Sequence, residues 1–384
     1  MTSKRMTTVL GQLGLVQVRH VSPVRRGAAR GLVGRVYDQV EQEFGVLAPS
    51  LALFSPAPPV LAASWLMLRE TLLVTRKVQR DAKEAVATTV SLGNACPWCA
   101  TVHSTMLSGL TGGLVLADDP AKPVADPRLR AVTTWARDCR TEEGARHHEP
   151  ACTAAEAPEL IGTAVMFHYF NRMVNVFLTE VPLPPGAPRM VLGPVMQILD
   201  RRMRPAAQRP HQPGTSLDLL PAAALARDLS WASGDPVAED AFARGCAAVD
   251  AAGARSVPPS VRDLVQAELE GWHGEPRGPS RAWADDPVAA LPQPDQPAGR
   301  LALLTALASA QVDRPVVQKF LAGRAGDAAL TELTAWASLA AARRVGTWIP
   351  RGQQAAESQG RAAGQAGSDG RARADPAAPG HLPR

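Results

Sequence analysis

The apolar residues of this sequence recur three and four positions apart over long stretches, which is the pattern of helices with one buried face. The first stretch carries Val33, Val36, Val40 and Phe44 and ends at Gly45. Aromatic residues make up only 4% of the chain although hydrophobic residues make up 46%, so strand-forming residues are scarce and alanine, the best helix former, is abundant. We therefore predict an all-α fold.

Changes in composition divide the chain into five segments. We predict a loosely ordered lead-in over 1–30, a first helical domain over 31–182, a Pro/Arg-rich linker over 183–215, a second helical domain over 216–350 and a disordered tail over 351–384. The tail has almost no large apolar residues, so it cannot bury enough surface to order itself.

The second helical half faintly echoes the first. The helix that follows Val60 resembles the one that follows Val237, and the segment 166–178 resembles 336–348. The second half has only Cys246 and no CxxC. Whether it is a degenerate repeat that has lost its chemistry is left open by the sequence.

Charge and hydropathy exclude several classes of protein. Lys and Arg total 41 and Asp and Glu total 36, and the basic residues are interleaved with acidic ones, so we expect no nucleic-acid partner. The uncharged run 44–68 is interrupted by four prolines, so it is not one membrane-spanning helix and we expect no membrane partner. Five cysteines do not make a secreted disulfide scaffold, and no signal peptide is evident, so we expect a cytoplasmic protein.

Two predicted helices meet at a cysteine motif. The first ends at Gly93, and Pro97 fits the first turn of the second. Cys96, Cys99 and His103 are spaced i, i+3 and i+7, so at 3.6 residues per turn they share one face. The thiols stand at the positive end of the helix dipole, which we expect to favour the thiolate and lower the pKa.

Glu84 lies twelve residues before Cys96, on the preceding predicted helix. If the two helices pack as neighbours, its carboxylate can face the thiols and form a proton relay with His103. The alternative is a capping box, in which Asp81 is the N-cap of the helix and Glu84 bonds back to its backbone.

Other interpretations of the motif differ in strength. CxxC with His103 supplies three zinc ligands, so the fourth would have to be Glu84 or water. Haem attachment is excluded because Ala100 stands where such a site has histidine.

Outside the motif, His168 is either a core residue or part of a pocket. The remaining cysteines are predicted to be inert: Cys139, Cys152 and Cys246.

The pattern Glu84-x11-Cys96-x2-Cys99-x3-His103, with its flanking residues, resembles the signature of the AhpD-like alkylhydroperoxidase branch of the carboxymuconolactone decarboxylase superfamily. The resemblance covers about 34–180. It implies an all-α homo-oligomer and a thiol-dependent (alkyl hydro)peroxidase with an antioxidant role, whose CxxC pair cycles between dithiol and disulfide. The implied partners are a peroxide and a dithiol reductant, either dihydrolipoamide-like or a protein. No metal or flavin cofactor is implied.

The same resemblance implies a role for each catalytic residue. Cys99 is oxidised to a sulfenic acid, Cys96 resolves it, and Glu84 and His103 relay protons. The helix geometry instead favours Cys96 as the more acidified thiol, so the order of attack stays open. Trp98 stands between the cysteines where the best-studied branch has histidine. The alternative function is that of a non-catalytic redox-sensing or metal-binding interaction protein.

Overall fold

The computed structural model describes residues 14–112, 126–148, 151–183, 186–323 and 325–371, with side chains as far as residue 350. Within these ranges every regular element is a helix, which confirms the predicted all-α fold. Residues 1–13 of the predicted lead-in and 372–384 of the predicted tail lie outside the described residues.

The helices of the first half surround the cysteine motif. They are α1 (Gly31–Phe44), α2 (Pro49–Ala52), α3 (Pro58–Leu68), α4 (Arg80–Gly93), α5 (Pro97–Thr111), α6 (Pro127–Asp138), α7 (Glu142–His147) and α8 (Ala157–Phe177). Proline occupies the first turn of α2, α3, α5, α6 and α8, where its missing N–H leaves no bond unmade. A π-helical turn, Arg69–Leu73, continues α3.

A helix occupies the segment for which the sequence predicts a linker. This helix, α9 (Leu192–Ala207), buries Met196 and Met203 and packs against α5 and α1. Its prolines and arginines predict a linker, yet Pro205 lies in the last turn of the helix and the arginines leave one face apolar. The domain boundaries themselves stay a prediction.

The second half is built of helices of varied length. They are α10 (Pro236–Ser256), α11 (Pro259–Glu270), α12 (Asp285–Ala289), α13 (Gln296–Ala308), α14 (Arg314–Leu321) and α15 (Asp327–Arg371). The last helix continues past residue 350 into the segment predicted as a tail. The disorder of that tail stays a prediction.

The buried apolar residues of both halves form one continuous core. Helix α3 packs against α10, and α8 packs against α15, which also contacts α7, α10 and α13. The internal echo in the sequence relates the same two pairs of helices, α3 with α10 and α8 with α15. Helix α8 is buried along nearly its whole length, and both helices that flank the cysteine motif, α4 and α5, pack against it.

Candidate active site

The turn between α4 and α5 places the two cysteines. Helix α4 ends at Gly93, and Ala95 adopts a left-handed conformation with φ +49°. Cys96 is the N-cap of α5, its N–H donates to the carbonyl of Ser91 at 2.9 Å, and Pro97 begins the helix. The chain therefore reverses tightly, and α4 packs along α5 as the sequence analysis expected.

Both thiols are buried, with Cys96 1% and Cys99 2% exposed. Burial raises the pKa of Cys99 well above its ordinary value, and the neighbouring thiol of Cys96, close enough for a hydrogen bond, raises it further. A hydrogen bond from Asn171 opposes this rise without reversing it. The prediction of a lowered pKa is therefore wrong for Cys99, because the cost of burying a thiolate outweighs the helix dipole.

Glu84 is fully buried and is held between two partners. Its Oε2 lies 2.7 Å from Nδ1 of His103, and its Oε1 accepts from Nε and Nη2 of Arg80 at 2.8 and 2.6 Å. Burial alone would raise the pKa of Glu84, but the charge of Arg80 and the hydrogen bonds from Arg80 and His103 outweigh it and hold the pKa below its usual value. The carboxylate is thus ionised at neutral pH and stands beside the imidazole.

The capping-box alternative for Glu84 is wrong. Helix α4 begins two residues earlier than expected, with Gln79 at the N-cap and Asp81 in the first turn. Asp81 accepts from the backbone N–H of Ala82 and from Arg128, so it has other partners. The carboxylate of Glu84 bonds His103 of α5 and the side chain of Arg80, and not the backbone at the start of its own helix.

His103 joins the carboxylate to a cavity. Nδ1 donates to Glu84, which leaves Nε2 of the neutral ring as a proton acceptor. The ring stands edge-on to Phe167 at 4.6 Å between centroids, which fixes its orientation. His103 follows Cys99 by four residues on α5, so the two side chains lie on the same face.

A cavity of about 220 Å³ opens beside this face. Cys99 and His103 line it, and Cys96 does not. Trp98 also lines it and donates from Nε1 to Gln17 at 3.0 Å. Most of the remaining lining is apolar and comes from several helices: Phe44, Leu47, Leu51, Leu68, Val102, Phe167, Phe170, Val195, Ile198, Leu199 and Met203.

Sequence reasoning missed two polar residues of the site. Arg80, one turn before Glu84, could have been found as an i, i+4 charge pair. Asn171 is fully buried on α8, where it donates to Ser91 at 2.9 Å and accepts from Asn94 at 3.0 Å. Its only sequence signal is an amide in an otherwise apolar stretch.

His168 is both buried and pocket-lining. It is 3% exposed in the core and lines a second cavity, on the other side of the α4–α5 turn. Cys139 and Cys246 are buried, and burial raises the pKa of both, that of Cys246 to about 12. The inertness of these cysteines stays a prediction.

The structure also bears on the interpretation of the cysteine motif as a zinc site. Among the described residues no group of three or more His, Cys, Asp or Glu side chains could hold a metal ion. Both oxygens of the Glu84 carboxylate already accept hydrogen bonds, one from Arg80 and the other from His103.

Comparison with known proteins identifies the family. No family model matches the chain. It is 38% identical over 339 residues to a Mycobacterium tuberculosis protein named alkyl hydroperoxide reductase, and the match covers 86% of this chain and 95% of that protein. The chain belongs to the AhpD-like alkylhydroperoxidases. The match is longer than the predicted first domain, so this alkylhydroperoxidase shares both of its halves with the relative.

A further finding concerns membrane-spanning helices. Within the described ranges, none of the helices is both long enough and apolar enough to cross a bilayer. The uncharged run 44–68 is divided between α2, α3 and the turns around them.

Proposed function

We propose that this alkylhydroperoxidase reduces organic hydroperoxides with Cys99 as the attacked thiol, Cys96 as the resolving thiol and Glu84 with His103 as the proton relay. The observation that carries the proposal is the cavity, which Cys99 and His103 line together and from which Cys96 is excluded. A peroxide in this cavity meets Cys99 first. This agrees with the order implied by the family resemblance and disfavours the order suggested by the helix dipole.

The raised pKa keeps the thiol of Cys99 protonated, so the relay has to remove its proton during the attack. His103 Nε2 accepts the thiol proton as the sulfur attacks, and the ionised carboxylate of Glu84 stabilises the imidazolium that forms. The thiolate attacks the terminal peroxide oxygen and the O–O bond breaks, giving a sulfenic acid on Cys99 and displacing an alkoxide. The imidazolium returns the proton to the alkoxide, which leaves as the alcohol.

The second and third steps restore the dithiol. The thiol of Cys96 attacks the sulfenic sulfur, a disulfide forms, and the hydroxyl leaves as water with the thiol proton. An external dithiol, dihydrolipoamide-like or carried by a protein, then reduces the disulfide by thiol exchange and becomes oxidised itself. Because Cys96 and Cys99 are already in contact, the disulfide needs little rearrangement.

The cavity lining supports an organic substrate. Side chains such as Leu51, Phe170 and Leu199 surround the opening, and burial of apolar surface favours an alkyl or aryl group by about 25 cal/mol per Å². Hydrogen peroxide gains nothing from these contacts. We therefore expect cumene hydroperoxide to have a lower KM than hydrogen peroxide.

A steady-state assay with cumene hydroperoxide and dihydrolipoamide tests the proposal. We expect Cys99→Ser to abolish turnover, since no thiol then meets the peroxide. We expect Cys96→Ser to stop after one equivalent, with a sulfenic acid on Cys99 that dimedone traps. Cys246→Ser is the matched control, and we expect it to retain full activity because Cys246 lies outside the cavity.

Two outcomes would contradict the proposal. Unchanged turnover in Cys99→Ser would reject this cysteine as the attacked thiol. Stoichiometric zinc with thiols protected from peroxide would favour the non-catalytic metal-binding function.

A further inference from the structure

A second cavity of about 220 Å³ lies on the other side of the α4–α5 turn. It is lined by α8, by residues after α6 and by loops of the second half, and none of its lining residues belongs to the cavity beside Cys99. Its charged lining consists of Arg140, Arg172, Arg277 and Glu275. We call it the arginine cavity.

The positive charge of the arginine cavity is largely unbalanced. Arg277 pairs with Glu268 at 3.1 Å. Glu275 is exposed, and its carboxylate accepts from a backbone N–H, so water screens its charge. Among the described residues, neither Arg140 nor Arg172 has an acidic partner within ion-pair distance.

Arg172 is the most unusual of the three. It is only 5% exposed, and its guanidinium donates to the carbonyls of Ala306 at 2.8 Å and His168 at 2.6 Å. Its charge also lies 5.8 Å from the ring centre of Trp272. Burial lowers the pKa of Arg172 to about 10. A buried cation without a counter-charge is costly, and a bound anion would relieve that cost.

Further hydrogen-bond donors of the arginine cavity lack partners. Nε of Arg140 and Nε of Arg277 are buried and unbonded within the described part of the chain. His168 Nδ1 accepts from Asn94 at 3.1 Å, which places the proton of the neutral ring on Nε2. Burial and the charges of Arg172 and Arg140 hold the pKa of His168 well below its usual value, so the ring stays neutral.

We propose that the arginine cavity binds an oxyanion, either a phosphate or a carboxylate group of a small ligand, through Arg140, Arg172 and Arg277. Guanidinium groups suit both anions because their parallel N–H groups match two oxygens at once. The volume of about 220 Å³ leaves room for an oxyanion group, which enters by displacing water. The arginine cavity shares no lining residue with the cavity beside Cys99, and this proposal does not rest on the proposed peroxidase function.

Thermal unfolding of the full chain tests the arginine cavity. Inorganic phosphate and succinate are each titrated against sodium chloride at matched ionic strength. Because a ligand that binds only the folded state raises the midpoint, we expect a saturable increase with at least one of them. A response to phosphate alone identifies a phosphate ligand, and a response to succinate alone identifies a carboxylate.

Variants locate the binding. We expect Arg172→Gln and Arg140→Gln each to weaken the apparent affinity at least about tenfold, since each removes a charge-assisted hydrogen bond. Arg189→Gln removes the same charge from an exposed position outside the cavity and should change the affinity less than about twofold. If Arg172→Gln does not fold, the half-buried Arg140 decides the result. The proposal is overturned if neither anion exceeds chloride, or if both cavity variants respond as the wild type does.

Discussion

Arg80 shows how one side chain sets the ionisation of another. It lies one turn before Glu84 on α4, it is 7% exposed, and both of its bonds go to the same carboxylate oxygen. The other oxygen is thereby left for His103. Without Arg80, burial would favour the protonated form of Glu84, and the imidazole would lose its counter-charge.

Replacing Glu84 should change stability in a pH-dependent way. Its pKa is lower in the folded state than in the unfolded chain, so its contribution is fully present above about pH 4.3 and is lost as pH falls through the folded pKa. We expect Glu84→Gln to lower the free energy of unfolding by about 3–5 kcal/mol at pH 7, because it breaks a buried ion pair. Urea unfolding at pH 7 and at lower pH measures the free energy of unfolding of the wild type and of Glu84→Gln.

The control is Glu41→Gln, which removes a partly exposed partner of Arg26. It should cost less than about 1 kcal/mol. A gap between wild type and Glu84→Gln that stays constant below pH 4 would show that the ion pair does not carry the effect.

Asn171 should control the reactivity of Cys99. Its hydrogen bond lowers the pKa of this thiol, so Asn171→Leu should raise the pKa further and reduce the thiolate fraction. A hydrogen bond worth about 1 kcal/mol corresponds to roughly fivefold slower alkylation by iodoacetamide. Peptide mass spectrometry between pH 7 and 9 follows the reaction.

Asn175→Leu, one turn later on α8, removes an amide that bonds Asn94 and Ser309. It should leave the alkylation rate near that of the wild type. Equal slowing in both variants would indicate a general loss of packing in place of a specific bond to Cys99.

At the scale of elements, α9 forms part of the wall of the cavity beside Cys99. It contributes Val195, Ile198, Leu199 and Met203 to the lining, opposite the residues of α5. The helix belongs to neither of the two predicted helical domains. The segment expected to connect two domains therefore forms a wall of the candidate active site.

Leu199→Trp should narrow this cavity. The larger side chain occupies space that an organic group would fill, so we expect KM for cumene hydroperoxide to rise severalfold while turnover of hydrogen peroxide changes little. Gln197→Trp places the same residue on the exposed face of α9 and serves as the control. Equal losses for both peroxides in Leu199→Trp would show that the wall does not select by size.

At the scale of the whole molecule, the second half covers apolar faces of the first. Helix α10 approaches α3 so closely that a Cβ at Gly245 would lie 2.7 Å from Cγ of Met67. A Cβ at Gly162 on α8 would lie 2.9 Å from Thr71 and 3.3 Å from Phe242 of α10. Glycine therefore permits contacts that no larger residue would allow without movement.

A fragment that ends at residue 182 should not behave as an independent domain. Loss of α10 and α15 exposes the faces of α3 and α8 that they cover, and large exposed apolar patches promote association. We expect aggregation or loss of cooperative thermal unfolding, measured by light scattering and circular dichroism. A monodisperse, cooperatively folded fragment would contradict this.

The homo-oligomer implied by the resemblance stays a prediction, and light scattering of the full chain tests it.

The sequence by itself determined the helices and the chemistry they carry. Periodicity, proline and glycine act within a few residues, so α4 ends at Gly93 and α5 begins at Pro97, as predicted. The shared face of Cys99 and His103 follows from helix geometry alone.

Only the tertiary structure decided how those groups behave. The pKa of Cys99 depends on burial and on Asn171, which lies 72 residues away in sequence. Part of the cavity wall is formed by α9, and its role there becomes evident only from the helices against which its apolar face packs. Desolvation and the meeting of distant side chains arise when helices pack together, and local sequence patterns do not record which helices meet.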